Sequence, residues 1–287
     1  MKLWQRRKIG LALGCGAARG LAHIGVLEVL EEEKIPIHFI AGTSMGALIG
    51  GFYASGLGIK KLKEFAYQTD WKKVALLFAP SPSRSGLVSG KRIEKLLRSL
   101  LGNRKIEELP IPFACVATDI VSGKEVMINQ GDLVDGIRAS ISIQGILTPI
   151  VFDGRILVDG GIINPLPVTV ASKMGADFII ASNVNSPSPK YPEEIKNSKT
   201  KDKIEIPNIF SIILQSANIM QQKITQDSLS QANLIINSEL SDVKLLEFYR
   251  AREVVEIGRA SAKKALSKNR ESMKILGKRR GKKWIRS

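Results

Sequence analysis

The sequence predicts an α/β fold of three layers, α/β/α, with a mainly parallel central sheet. Two observations carry this. An apolar run, Ile9–Leu13, enters a glycine-rich turn and then a helical pattern, with Leu21, Ile24, Val26, Leu27 and Leu30 at helical spacing. The same order recurs at once, with the apolar run Ile37–Ala41, a turn around Ser44 and a small-residue helix over Met45–Ser55. Parallel strands need crossover helices, and strand-turn-helix repeated in tandem supplies them.

The later elements follow from the same reasoning. Lys60–Gln68 and Lys91–Leu101 read as amphipathic helices. Phe113–Thr118 and Glu125–Ile128, joined through Ser122-Gly123-Lys124, read as a hairpin, and Phe152–Val158 turns at Asp153-Gly154 into another. Leu133–Ser140 reads as a helix, then Val168–Met174 as a helix and Phe178–Ser182 as a strand. Residues 186–203 are polar, proline-bearing and without hydrophobic period, which predicts a loop or linker. Helix is expected over Ile209–Ile224, a short strand over Leu234–Ile236 and a long helix over Leu246–Leu266. The division is thus a catalytic domain over 9–185, the polar segment 186–203, C-terminal helices and strand that complete the domain over 204–267, and a basic tail over 268–287.

Composition limits the function. Hydrophobic residues make up 44% and charged residues 24% of 287, which excludes fibrous and wholly disordered classes. Cys15 and Cys115 lack disulfide-framework or zinc-ligand spacing. The apolar run before Cys15 is shorter than a secretion signal uses, so it is read as a strand and the expected location is cytoplasmic. Ile35–Ile59 is uncharged and long enough to span a bilayer, but Pro36 and six glycines suit a strand, a sharp turn and a packed helix. The net charge of +16 is concentrated at the ends: Lys263–Arg286 holds eleven Lys or Arg against Glu271 alone. Such a tail attracts anionic surfaces, which suggests peripheral contact with the inner face of a membrane.

The chemistry gathers at three turns. Gly42-Thr43-Ser44-Met45-Gly46 follows a strand and opens a helix, the pattern of a nucleophile elbow that lifts a serine hydroxyl onto a strained bend. Both histidines, His23 and His38, precede Ser44, so the serine-acid-histidine order is excluded. The alternative proton acceptor is Asp159, where an apolar strand ends in Asp159-Gly160-Gly161. Reactive groups of open α/β sheets collect at the carboxyl ends of strands, and both Ser44 and Asp159 stand at such ends. The third turn, Leu13–Gly20, fails the dinucleotide fingerprint because Arg19 stands at the third glycine position and no acid ends the second strand. It suits an oxyanion hole instead, with backbone N–H groups facing the oxygen that becomes negative. Arg19 would either brace this loop or meet an anionic group.

Together the glycine loop with its arginine, Gly-Thr-Ser-Met-Gly and Asp-Gly-Gly resemble the patatin-like phospholipase family, in its bacterial branch. LAHIGVLEVLEE and DGGIINPLPV add to the likeness, which runs from about Ile9 to Val170. The resemblance implies a patatin-like fold and a Ser-Asp dyad that hydrolyses lipid acyl esters without cofactor or metal. Ser44 would be the nucleophile and Asp159 the base. The oxyanion hole would lie in Cys15, Gly16, Ala17, Ala18, Arg19 and Gly20. Phospholipid or lysophospholipid is the implied substrate. The family usually has glycine at Cys15 and Ala17 and proline at Gln144. A side chain at 15 or 17 would be strained wherever positive φ is required. The competing reading is a weak or inactive hydrolase-fold protein that binds anionic lipid or nucleic acid through its tail.

Overall fold

The structure is a computed structural model and describes residues 7–68, 85–185 and 209–276, with Leu77, Ala79 and Ser81. The polar segment 186–203 and the end of the basic tail lie outside these residues. In chain order the strands are β1 (Ile9–Leu13), β2 (Phe39–Thr43), β3 (Phe113–Asp119), β4 (Glu125–Ile128), β5 (Ile150–Phe152), β6 (Arg155–Asp159), β7 (Phe178–Asn183) and β8 (Leu234–Asn237). The helices are α1 (Ala22–Glu32), α2 (Met45–Ala54), α3 (Gly58–Tyr67), α4 (Lys91–Leu101), α5 (Leu133–Ser140), α6 (Val168–Lys173), α7 (Ile209–Leu229) and α8 (Ala251–Leu276).

One sheet runs β5-β6-β3-β2-β1-β7-β8, with β4 also on β3. The pairings β1–β2, β1–β7, β2–β3 and β7–β8 are parallel; those among β3, β4, β5 and β6 are antiparallel. β1 and β7 are buried at every residue, as expected of parallel strands covered on both faces. The larger core joins this sheet to α1–α5 and α8, and takes in Leu214 of α7. The smaller one is alanine-rich and lies under α6 and the end of α7, with Ala12, Ala41, Ala114, Ala171 and Ala181.

The register explains how two distant segments meet. Val116 pairs with Thr43 on one edge and Met127 on the other, so β2 and β4 flank β3 on opposite sides. Ala117 pairs with Val126 of β4 and with Asp159 of β6. β6 therefore occupies the same edge of β3 as β2. The two strands run toward each other along that edge, and their carboxyl ends, Thr43 and Asp159, face consecutive residues of β3.

Several boundaries differ from expectation; α3, for one, begins at Gly58 and not Lys60. β2 begins and ends two residues later than the apolar run, because His38 serves the strand entrance: its Nδ1 accepts from the Ile9 N–H at 2.9 Å. α7 continues to Leu229. α8 starts at Ala251, not Leu246, and runs on to Leu276, so the first residues of the basic tail are helical. Arg250 holds the preceding turn by bonding Asp242, Glu247 and Glu253, which leaves Leu245 and Leu246 as loop.

Candidate active site

Ser44 sits between β2 and α2 with φ 55 and ψ −119, a left-handed backbone that a non-glycine residue adopts only under constraint, at about 1–3 kcal/mol. The flanking glycines supply the constraint. A Cβ on Gly42 would stand 2.4 Å from the Gly46 carbonyl oxygen, and one on Gly46 would stand 2.1 Å from that of Leu13. The Ser44 N–H donates to Ser140 Oγ at 2.9 Å, and that hydroxyl donates to the Val116 carbonyl. The Ser44 carbonyl accepts from Leu48 N–H, the first helical bond of α2, so the hydroxyl lies at the positive end of that helix.

Asp159 ends β6 and caps a 3-10 turn over Gly160–Ile162, accepting from the Gly161 N–H at 2.7 Å. Gly160 is required because a Cβ there would meet the Val116 carbonyl oxygen at 2.3 Å. The carboxyl group is buried, which pushes its pKa up from 3.8 to about 6. The nearby Ser44 hydroxyl and the Gly161 N–H pull the other way. The structure thus brings together the two side chains picked from the sequence, and does so without an imidazole.

Both histidines are otherwise employed. His38 lies at the opposite end of the sheet. His23 is fully buried, with Nε2 at 2.8 Å from the Gly14 carbonyl and Nδ1 at 2.8 Å from Ser182 Oγ. The carbonyl can only accept, so Nε2 carries the proton. Burial pushes the His23 pKa down to about 4 and keeps the ring neutral. Its role is to hold the glycine loop to the end of β7.

That loop is narrower as an anion site than the stretch Cys15–Gly20 suggests. Cys15 N–H donates to Pro165, Ala18 N–H to Leu245 and Arg19 N–H to Gly16, each to a carbonyl. Among the described residues, the N–H groups of Gly16 and Ala17 make no bond within the protein. Gly20 lets the loop press on Met45, whose Cγ would be 2.4 Å from a Cβ there. Of the two readings of Arg19, the structure takes the bracing one: Nε donates to the Val243 carbonyl at 2.7 Å. Ala17 has φ 47, while Cys15 has no positive φ, so the strain foreseen for the two positions falls on Ala17 alone. Ala17→Gly is expected to stabilise the fold by roughly 0.5–1 kcal/mol, the left-handed penalty less the added freedom of the unfolded chain, read as a higher urea midpoint.

Two other contributors, Ser140 and Gln221, gave no sequence signal. Ser140 resembles any serine at a helix end. Gln221, in mid-α7, accepts from Cys15 Sγ–H at 3.2 Å and lies against Gly161. Gln144 donates from Nε2 to the Asp159 carbonyl at 3.1 Å. Burial and the nearby Asp159 charge raise the Cys15 thiol well above its usual range, so it stays protonated. Among the described residues no three His, Cys, Asp or Glu side chains group in a way that would hold a metal ion.

From Ser44 a cavity open to solvent runs between α2, α3 and α4, with about 890 Å³ of empty space when the solvent at its mouth is included. Apart from Ser44 its lining is hydrophobic, including Leu48, Phe65, Ile93, Leu97, Ile143 and Phe248.

Known proteins resemble this chain in sequence and in fold. An uncharacterized NTE family protein of Mycobacterium tuberculosis is 44% identical over 184 residues, 62% of this chain and 49% of that protein. Lysophospholipase NTE1 of Scheffersomyces stipitis is 34% identical over 197 residues, 67% of this chain and 12% of that protein. The chain therefore spans about half the length of its mycobacterial relative and a small part of the yeast one. VipD of Legionella pneumophila shares the fold, with a TM-score of 0.51 at 15% identity over 91% of this chain and 67% of that one. Residues 11–172 match the patatin-like phospholipase family, and with the elbow, the Asp-Gly-Gly turn and the glycine loop all inside that span, the chain belongs to this family.

Proposed function

We propose that the chain is a serine acyl hydrolase that cleaves carboxylic ester bonds of lipids, phospholipid or lysophospholipid, through a dyad of Ser44 and Asp159. The observation that carries the reading is a strained, buried serine set beside a buried carboxylate whose pKa is pushed up to about 6. In this mechanism Ser44 Oγ attacks the ester carbonyl as Asp159 takes its proton. The N–H groups of Gly16 and Ala17 receive the negative oxygen. Asp159 then returns the proton to the departing alcohol, and water, deprotonated by the same carboxylate, releases the acyl group from Ser44. The hydrophobic cavity suits a hydrocarbon chain. The basic tail would add attraction to anionic membranes.

A fluorophosphonate ester tests the nucleophile. It is expected to label the wild type at the peptide that holds Ser44 and to leave Ser44→Ala unlabelled. An unlabelled wild type would instead favour a non-catalytic binding protein. The base gives a pH signature. Asp159 accepts a proton only when ionised, and its raised pKa leaves it protonated below about 6. With a soluble ester, kcat/KM should rise about tenfold per pH unit up to that value and level off above it.

A further inference from the structure

Helix α7 crosses the end of the sheet that carries the dyad. Leu214 in its first half belongs to the main core, Leu229 at its end packs on the smaller one, and Gln221 between them reaches Cys15 and Gly161. Its buried side includes Leu214, Asn218 and Thr225. Its other side is unusual for a helix facing water. Ile209, Ile212, Ile213, Ile219 and Met220 are between 43% and 72% exposed. At 100° per residue all five fall within about a third of the helix circumference. No charged residue occurs from 209 to 222, and Lys223 follows on the same exposed side.

The apolar exposure continues around that end of the sheet. Ile120 and Val121, in the turn beyond β3, and Ile163, just after the Asp159 turn, are exposed, as is Leu246 at the cavity. These residues come from separate turns beside a convex helix face, so they form a rim and not a groove shaped for a peptide. Ser44, which lines the cavity, stands at this same end of the sheet, so a lipid held at the rim would present its ester close to the serine. Lys223 on this face, and the net charge of +16 carried largely by the chain ends, suit an anionic surface.

We propose that this rim, led by the outer face of α7, docks the protein on a phospholipid bilayer that contains anionic lipid, with Ile212, Ile219 and Met220 among the inserting side chains. The ester-hydrolase reading gives this docking its purpose, while the exposed face stands independently of it. The test titrates phosphatidylcholine–phosphatidylglycerol vesicles in about 0.5 M salt, where screening removes most general cationic attraction. Wild type is compared with the triple variant Ile212→Gln, Ile219→Gln, Met220→Gln. The variant's partition coefficient should fall about thirtyfold, with its thermal midpoint and its hydrolysis of a short soluble ester unchanged. Equal partitioning of the two proteins would overturn the proposal. So would a wild-type dimer that ignores vesicles and that the substitutions split, which would assign the face to a second copy. A wild type that binds vesicles through this face yet hydrolyses no ester would sustain the docking and refute the enzymatic reading.

Discussion

Asp159→Asn is expected to lower kcat on a soluble ester by about 10²–10⁴, the range for losing a positioned general base, with little change in KM. The substitution keeps the shape of the side chain, and the amide oxygen can still accept from the Gly161 N–H that now bonds Oδ1 at 2.7 Å. What it loses is a place for the proton: the amide presents its NH₂ to Ser44 in place of a second oxygen. The acid limb near pH 6 should vanish with it, because no titrating group remains in the dyad. Stability should hold or rise, since a desolvated ionisable group has been replaced by a neutral one. Steady-state kinetics between pH 5 and 8, beside a thermal melt, decides the matter. Activity within tenfold of wild type in a well-folded Asp159→Asn would remove Asp159 as the base.

Gly25→Ala is expected to destabilise the fold by about 2–3 kcal/mol or more, and Gly258→Ala by a similar amount. These glycines lie where α1 and α8 touch. A Cβ on Gly25 would stand 2.0 Å from the Val255 carbonyl oxygen, and one on Gly258 would stand 2.1 Å from that of Ala22. Both obstacles are backbone, so no side chain can turn aside and the helices must separate. Separation loosens packing around Val254 and Val255, both fully buried. Alanine's better helix propensity, about 1 kcal/mol, offsets only part of this. Urea denaturation measures the result, and a loss under 0.5 kcal/mol in both variants would mean that the two helices yield far more easily than their contact implies.

Much of this was legible in the sequence because it is local. A strand that ends in Gly-x-Ser-x-Gly specifies its own bend, since the glycines that permit it are the serine's neighbours. The hairpin turn at Asp153-Gly154 likewise follows from two residues, both of which adopt positive φ. The meeting of Ser44 and Asp159 was an inference from strand ends; the sequence does not show that β2 and β6 share one edge of β3. Pairing register joins segments more than a hundred residues apart and leaves no periodic trace in either. Ser140 and Gln221 were missed for the same reason. Leu246 was misassigned to a helix because its apolar spacing suits one, whereas the Arg250 ion pairs hold that segment as loop.

Ala18 and Arg19 are tied to the carbonyls of Leu245 and Val243, across more than two hundred residues of chain. During synthesis, then, a ribosome that has delivered the whole family-matched span has still not delivered the strut that shapes the glycine loop. On the proposed mechanism a nascent chain would hold Ser44 and Asp159 well before the loop beside them is braced, and a chain released upstream of residue 243 is expected to hydrolyse no ester.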